Sequence, residues 1–159
     1  MRIEPKEMLD LAQRYADKMS GCRKVAVGCI LIPKGDTIVQ IYGCNKTLPL
    51  DCKKFGCRRV QLYGEDSKNH RLPSDCRALH SEVDAITQAA WFGHSVYGAT
   101  MYVTRYPCEA CARAIVNAGI KYVYYGREQE ISEETKAIFE EGHVTVTHID
   151  DWYYADTRR

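Results

Sequence analysis

Apolar positions change their spacing several times along this chain, and each change predicts an element. After Glu4-Pro5, Met8, Leu11, Tyr15 and Met19 recur three and four residues apart. That predicts a packing helix opened by Pro5, with these four on its buried face and Gly21 as its stop. Residues 25–32 are an apolar run, the pattern of a buried strand. Pro33-Lys34-Gly35-Asp36 reads as a turn and residues 37–42 as a second strand, so the two form a hairpin. Further on, Val83, Ile86 and Ala90 predict a helix over 80–92 whose first turn begins at His80. Residues 100–104 follow Gly98-Ala99 as a short strand. Ala110, Ala114 and Ala118 with Ile115 mark a helix opening at Cys108, and Pro107 suits its entry. Residues 121–125 then read as a strand. Strand, helix and strand in so short a span make a βαβ unit, with parallel strands and a right-handed crossover. Ser132 stands as an N-cap, Glu133 and Glu134 occupy the first turn of the next helix, and Gly142 stops it. Residues 144–147 are the last predicted strand.

Residues 46–75 interrupt this order. They hold Pro49, Gly56, Gly64 and Pro73, and seven Lys/Arg against four Asp/Glu. A stretch this long without periodicity is functional, disordered or pinned. Cys52, Cys57 and Cys76 with His70 point to pinning by a second metal, which Cys22 would complete. The competing reading is a reduced, flexible loop whose thiols are spectators. Cys29 and Cys44 fall on or beside the first two strands and read as small core residues. The last stretch, 128–159, is acidic, which fits a solvated face or a contact with another subunit's basic loop.

Composition narrows the class. A chain of 159 residues with 45% hydrophobic and 27% charged residues fits one globular domain, 1–159, with 46–75 as a loop-rich insertion. A net charge of +1 lacks the basic excess of a nucleic-acid binder. No run approaches membrane-spanning length, and Met-Arg-Ile-Glu-Pro carries no apolar signal core, so the expectation is a cytoplasmic protein with no membrane partner. Eight cysteines in a reducing compartment point to metal binding rather than disulfides.

The sharpest chemical signal is His80-Ser81-Glu82 together with Pro107-Cys108-Glu109-Ala110-Cys111. One imidazole and two thiolates supply three zinc ligands, and three ligands with an open position are the catalytic form of a zinc site. Zinc brings the pKa of a bound water to about 7. Glu82, two residues from His80, can face the open position without binding metal and is free to carry a proton. His80 and Cys108 both open predicted helices, where the dipole favours thiolate. A closed zinc knuckle is the bland alternative.

H-x-E followed by P-C-x-x-C is the signature of the zinc nucleobase deaminases. Over residues 5–147 the chain resembles the deoxycytidylate (dCMP) deaminase branch of the cytidine deaminase superfamily. Ser20-Gly21-Cys22-Arg23-Lys24-Val25-Ala26-Val27-Gly28 resembles the family's first strand entry. His80-Ser81-Glu82-Val83-Asp84-Ala85-Ile86 is similar to its His-Ala-Glu-x-Asn-Ala-Ile, and Gly43-Cys44-Asn45 stands where the family has Gly-Tyr-Asn-Gly. Gly98 to Thr104 and Asn117 to Lys121 match its usual flanks. The resemblance implies a three-layer α/β/α fold, an α/β class with a central five-stranded mixed sheet and helices on both faces. It implies hydrolysis of dCMP to dUMP for thymidylate synthesis, with Zn2+ on His80, Cys108 and Cys111. Glu82 would take the water proton, protonate the ring nitrogen and deliver a proton to the departing ammonia. It also implies a homo-oligomer, hexamers being common in bacterial and phage members, and dCTP and dTTP as effectors.

For a second, structural zinc the resemblance offers Cys22, Cys52, His70 and Cys76, with Cys57 as an alternative. Asn45 is assigned a sugar hydroxyl, and the Ser81 backbone N–H the pyrimidine O2. Arg105 is the first choice for the substrate phosphate, ahead of Arg23, Lys24 and Lys46. Tyr106 is assigned to stack on the base, and Tyr125 to close the pocket or pack the core. The chain departs from the family pattern at Ser81 for Ala, Asp84 for Asn, Cys44 for Tyr and Lys46 for Gly. Three other readings stay open: a deaminase of another cytosine nucleotide or nucleoside, a deaminase of a base in RNA, or a catalytically inactive zinc-stabilised binding module.

Overall fold

Pro5 opens the first helix, α1 (Pro5–Met19), at a position where its missing N–H removes no helical bond. The face that α1 buries is not the one the spacing predicts. Met8, Leu9, Ala12 and Ala16 turn inward, while Leu11 and Met19 are exposed and Tyr15 is half-buried. Close packing decides this. α1 lies so tightly on the first strand that a Cβ on Gly28 would stand 2.0 Å from the carbonyl oxygen of Ala12 and 3.2 Å from the Cβ of Ala16. Only small residues fit that seam. The computed structural model describes residues 3–47, 49, 51–65, 75–128 and 131–154.

The hairpin forms from β1 (Gly28–Ile32) and β2 (Ile41–Cys44), antiparallel with Gly28 opposite Cys44. Both strands start later than the apolar runs. Residues 25–27 are held instead by Asn45, whose Oδ1 accepts from Val27 N and whose Nδ2 donates to Val25 O. The Asp36 carboxylate accepts from Ile38 N and Val39 N, which keeps that segment out of the ladder. These bonds hold the Asp36 carboxyl below its usual range.

The 46–75 insertion is not wholly irregular. It contains α2 (Cys52–Phe55), capped by the Asp51 side chain on Lys53 N, and α3 (Arg58–Tyr63). Each is too short for a helical period to register in sequence. Gly56 and Gly64 end them at φ of 79°.

The rest alternates: α4 (Ser81–Phe92), β3 (Thr100–Arg105), α5 (Glu109–Asn117), β4 (Tyr122–Arg127), α6 (Glu133–Glu141) and β5 (Thr145–His148). Ser132 caps α6 by accepting from Thr135 N, and Gly142 is its C-cap, as the sequence predicts. The five strands lie in the order β2-β1-β3-β4-β5. β1 runs antiparallel to both neighbours, whereas β3, β4 and β5 are parallel. The sheet is therefore mixed. Ile30, Ile32 and Tyr102 point to one face and pack with Met8, Leu9 and Ala12 of α1 and with Trp152. Cys29, Leu31, Met101 and Val103 point to the other and pack with Ala85 and Ala89 of α4, Ala112 and Ile115 of α5, and Phe139 of α6. That is the expected three-layer α/β/α arrangement, and it explains why every residue of β1 is buried. None of the described helices is long and apolar enough to cross a membrane.

α4 also departs from its predicted stripe. Ser81, Glu82, Asp84, Ala85 and Ala89 are buried, while Ala90 is exposed and Val83 and Ile86 are half-buried. Gly43 of β2 is the cause. A Cβ there would stand 2.2 Å from Ser81 O and 2.5 Å from Ala85 N, so the backbone of α4 rests directly on the strand. That contact turns the polar first turn of α4 inward.

Candidate metal centre and its cavity

Two helix N-termini converge at one end of the sheet. His80 is the N-cap of α4 and Cys108 the N-cap of α5, with Cys111 in the first turn. His80 Nδ1 lies 3.4 Å from the Sγ of Cys108 and 3.4 Å from the Sγ of Cys111. A tetrahedral zinc with Zn–N of about 2.0–2.1 Å and Zn–S of about 2.3 Å would hold such a pair about 3.6 Å apart. The three donor atoms all lie within 4.8 Å of one another, the single such set among the described residues. The donors are thus spaced for one small cation.

Their electrostatics ask for one as well. Cys111 donates to Cys108, and this bond, helped by His80, lowers the Cys108 thiol to about 4 against the opposing effect of burial. Cys111 is pushed up in return, chiefly because it gives that hydrogen bond. His80 is raised, first by its bond to Cys108. Cysteine binds a divalent ion as thiolate, so an ion held by this set would displace the protons of both thiols. An imidazole and two thiolates are a donor set that suits zinc.

Glu82 sits beside this set at 4% exposure, and burial raises its carboxyl above the usual range. Ser81, fully buried, donates from Oγ to Glu82 Oε2 at 3.0 Å. Asp84, two positions beyond Glu82, does not line the cavity. Its Oδ2 accepts from Cys44 N at 2.9 Å and its Oδ1 pairs with Lys46 Nζ at 3.1 Å.

A cavity of about 250 Å³ opens over His80, Glu82 and Cys108. Of the residues proposed from sequence to touch substrate, Asn45, Ser81, Arg105 and Tyr106 line it. Asn45 has Oδ1 engaged by Ser20 Oγ and Val27 N and one amide hydrogen on Val25 O, so much of its capacity holds the backbone. Tyr125 is not among the lining residues. It packs behind Tyr106, edge to face at 4.9 Å, and stacks on His148. Of the weaker phosphate candidates, Lys24 lines the cavity while also pairing with Glu65. Arg23 is exposed and outside the lining, and Lys46 is taken by Asp84.

The second-metal candidates fall near the same wall. Cys22, Cys57 and Cys76 line the cavity, and Cys52 is buried. Cys52 is raised, first by burial and then by the charges of Cys57, Cys22 and Cys76. These four do not bring three donor atoms within 4.8 Å, and His70 lies outside the described residues. Four lining residues were missed: the apolar Val25, Val27 and Ala78, and one charged residue, Arg59 of α3, whose charge reaches His80 and lowers it. The charge excess of the insertion was the available signal, but nothing local picks one of its seven cations.

The family described as the cytidine and deoxycytidylate deaminase zinc-binding region matches residues 3–127. ComE operon protein 2 of Bacillus subtilis is 30% identical over 131 residues, covering 82% of this chain and 64% of that protein. The deoxycytidylate deaminase of Enterobacteria phage T2 is 43% identical over 76 residues, covering 47% of this chain and 40% of that protein. The chain thus spans two fifths to just under two thirds of the length of these curated relatives. Among solved structures, the dCMP deaminase of cyanophage S-TIM5 in complex with dCMP and dUMP superposes with a TM-score of 0.64 at 25% identity, covering 94% of this chain and 99% of that one.

Proposed function

This chain belongs to the cytidine and deoxycytidylate deaminase zinc-binding family, and from that premise we propose that it hydrolyses dCMP to dUMP and ammonia, supplying dUMP for thymidylate synthesis. One observation carries the reading: a buried carboxyl, Glu82, stands beside three converging donor atoms at the base of a cavity that also presents Arg105 and Tyr106. The phage relatives named as deoxycytidylate deaminases and the S-TIM5 complex with dCMP and dUMP support dCMP over other cytosine substrates.

His80, Cys108 and Cys111 would hold zinc, which when bound supplies the Lewis acidity that makes water nucleophilic at neutral pH. Glu82 performs the proton work. Its carboxylate takes one proton of the attacking water and gives it to the ring nitrogen, then takes the proton of the hydroxyl now on C4 and passes it to the amino group, which leaves as ammonia as the C4 carbonyl forms. Burial raises this carboxyl, which favours its protonated form and so its capacity to return the proton it has taken. Ser81 keeps that carboxyl oriented through Oγ while its backbone N–H faces the base. Tyr106 closes the apolar side, and its edge-to-face contacts with Tyr125 and Phe139 fix the ring. Arg105 receives the phosphate.

The test is an ammonia-release assay across dCMP, CMP, dCTP, deoxycytidine and cytosine, with Glu82→Gln as control. The expected result is preference for dCMP, and loss of several powers of ten in Glu82→Gln with zinc content and fold retained. Inertness toward dCMP alongside turnover of another substrate would replace this reading. Normal turnover by Glu82→Gln would remove the proton-carrier role.

A further inference from the structure

We propose that Arg59, carried by α3 of the 46–75 insertion, is the residue that selects a nucleoside monophosphate over the bare nucleoside, by receiving its phosphate together with Arg105. The inference rests on the deaminase reading of the site and deepens it by naming the group that recognises the substrate's charge.

Charge sign is the first argument. Lys24, Arg59 and Arg105 reach the cavity from three separate segments, and Glu82 is the one carboxylate among the described lining residues. The whole chain carries a net charge of only +1, so three cations on one small cavity are a local concentration and not a reflection of composition. A neutral nucleoside carries no group of opposite sign to these cations. A phosphate monoester, at about −1.5 to −2, does. Lys24 offers a compact ammonium, whereas a guanidinium presents a planar fork to phosphate oxygens.

The second argument is how α3 is held. It buries none of its side chains, so it adds nothing to either core. It is instead tied to the segment that leads into His80. Tyr63 donates to Asp75 Oδ2 at 2.7 Å, and Arg77 donates to Gly56 O at 3.1 Å at the start of the helix. Gln61 donates back to Phe55 O at 2.9 Å, joining α3 to α2. These bonds set a helix with no core role at the cavity rim, with Arg59 on the cavity and Arg58 exposed to solvent.

The experiment compares kcat/KM for dCMP and deoxycytidine in the zinc-loaded full chain, for wild type, Arg59→Ala, Arg59→Gln, Arg59→Lys and the surface control Arg58→Ala. The dCMP-to-deoxycytidine ratio should fall about ten- to hundredfold in Arg59→Ala and Arg59→Gln, as expected for loss of one charge-assisted hydrogen-bonding group. Arg59→Lys should recover part of the ratio, and Arg58→Ala should leave it unchanged. An unchanged ratio in Arg59→Ala and Arg59→Gln, or an equal fall on both substrates, overturns the assignment. Calorimetric binding of dUMP against deoxyuridine reads the same subsite without turnover. If the wild type were inert toward dCMP, the deaminase reading would fail alone: a dUMP preference lost in Arg59→Ala would still support Arg59, and no preference in the wild type would overturn it.

Discussion

Removing the Lys46 side chain should destabilise this protein far more than a half-solvated lysine suggests. Its Nζ lies 3.1 Å from Asp84 Oδ1, and the two side chains are 25% and 2% exposed. At an effective dielectric of about 20, the attraction at that distance is about 5 kcal/mol before desolvation is counted. Most of that offsets the cost of burying the carboxylate, so the pair adds little net stability. Lys46→Ala removes the attraction and leaves the cost. Breaking a buried pair in this way typically costs about 3–5 kcal/mol. Asp84 would still accept from Cys44 N and, at 3.5 Å, from Gln88 Nε2. The loss should therefore fall near the lower end, about 3 kcal/mol, or about 6–12 °C in Tm for a chain of this length. Asp84→Asn should cost only about 1 kcal/mol, because the amide oxygen keeps the Cys44 bond and the released lysine reaches water. The double variant Lys46→Ala/Asp84→Asn should recover most of the single lysine loss. Urea unfolding of the zinc-loaded variants, followed by fluorescence of buried Trp152, measures all three. A Lys46→Ala variant within about 0.5 kcal/mol of wild type, or a double variant no more stable than it, would refute the reasoning. The pair also joins two of the sequence departures: Lys46 and Asp84 stand where the family pattern has Gly and Asn, and each answers the other.

Three more outcomes are expected. Ser81→Ala removes the donor on Glu82 Oε2, so kcat should fall about five- to tenfold with KM for dCMP and zinc content unchanged; a change confined to KM would take Ser81 out of the positioning role. In chelated protein, burial raises the Glu82 carboxyl, so its ionised form is disfavoured in the fold and stability is lost as pH rises past the ordinary carboxylate range. Chelated Glu82→Gln should thus be more stable than chelated wild type at about pH 7 and equal to it at about pH 4. Metal analysis should show one zinc lost in His80→Ala; a second equivalent that disappears in Cys22→Ser or Cys52→Ser would support a structural site in the insertion, and one equivalent in wild type would remove it.

Most of the element order was legible because each element leaves a local mark. The Ser132 cap, the Pro107 entry, the parallel pairing of β3 with β4 and the ligand spacing of His80, Cys108 and Cys111 all rest on short-range patterns. The faces of α1 and α4 were not legible. They depend on Gly28 and Gly43, two missing side chains on strands distant in sequence, which let each helix backbone settle onto the sheet and decide which residues turn inward. The late starts of β1 and β2 were hidden for a related reason: Asn45 and Asp36 offer the backbone side-chain partners that no apolar count registers.

The same division holds at the site. The chain's own letters singled out the candidate metal donors, which the fold brings within 4.8 Å of one another, and the carboxyl beside them, since imidazole, thiolate and carboxylate at those spacings have few other uses. Tertiary structure alone decided which cations face the cavity. It gave Lys46 to Asp84, left Arg23 in solvent, set Tyr125 behind Tyr106 and brought in Arg59 from a helix too short to announce itself. Ligand identity is a property of residue chemistry and neighbours in sequence, whereas the direction of a charged side chain is set by long-range packing and by the partner it meets.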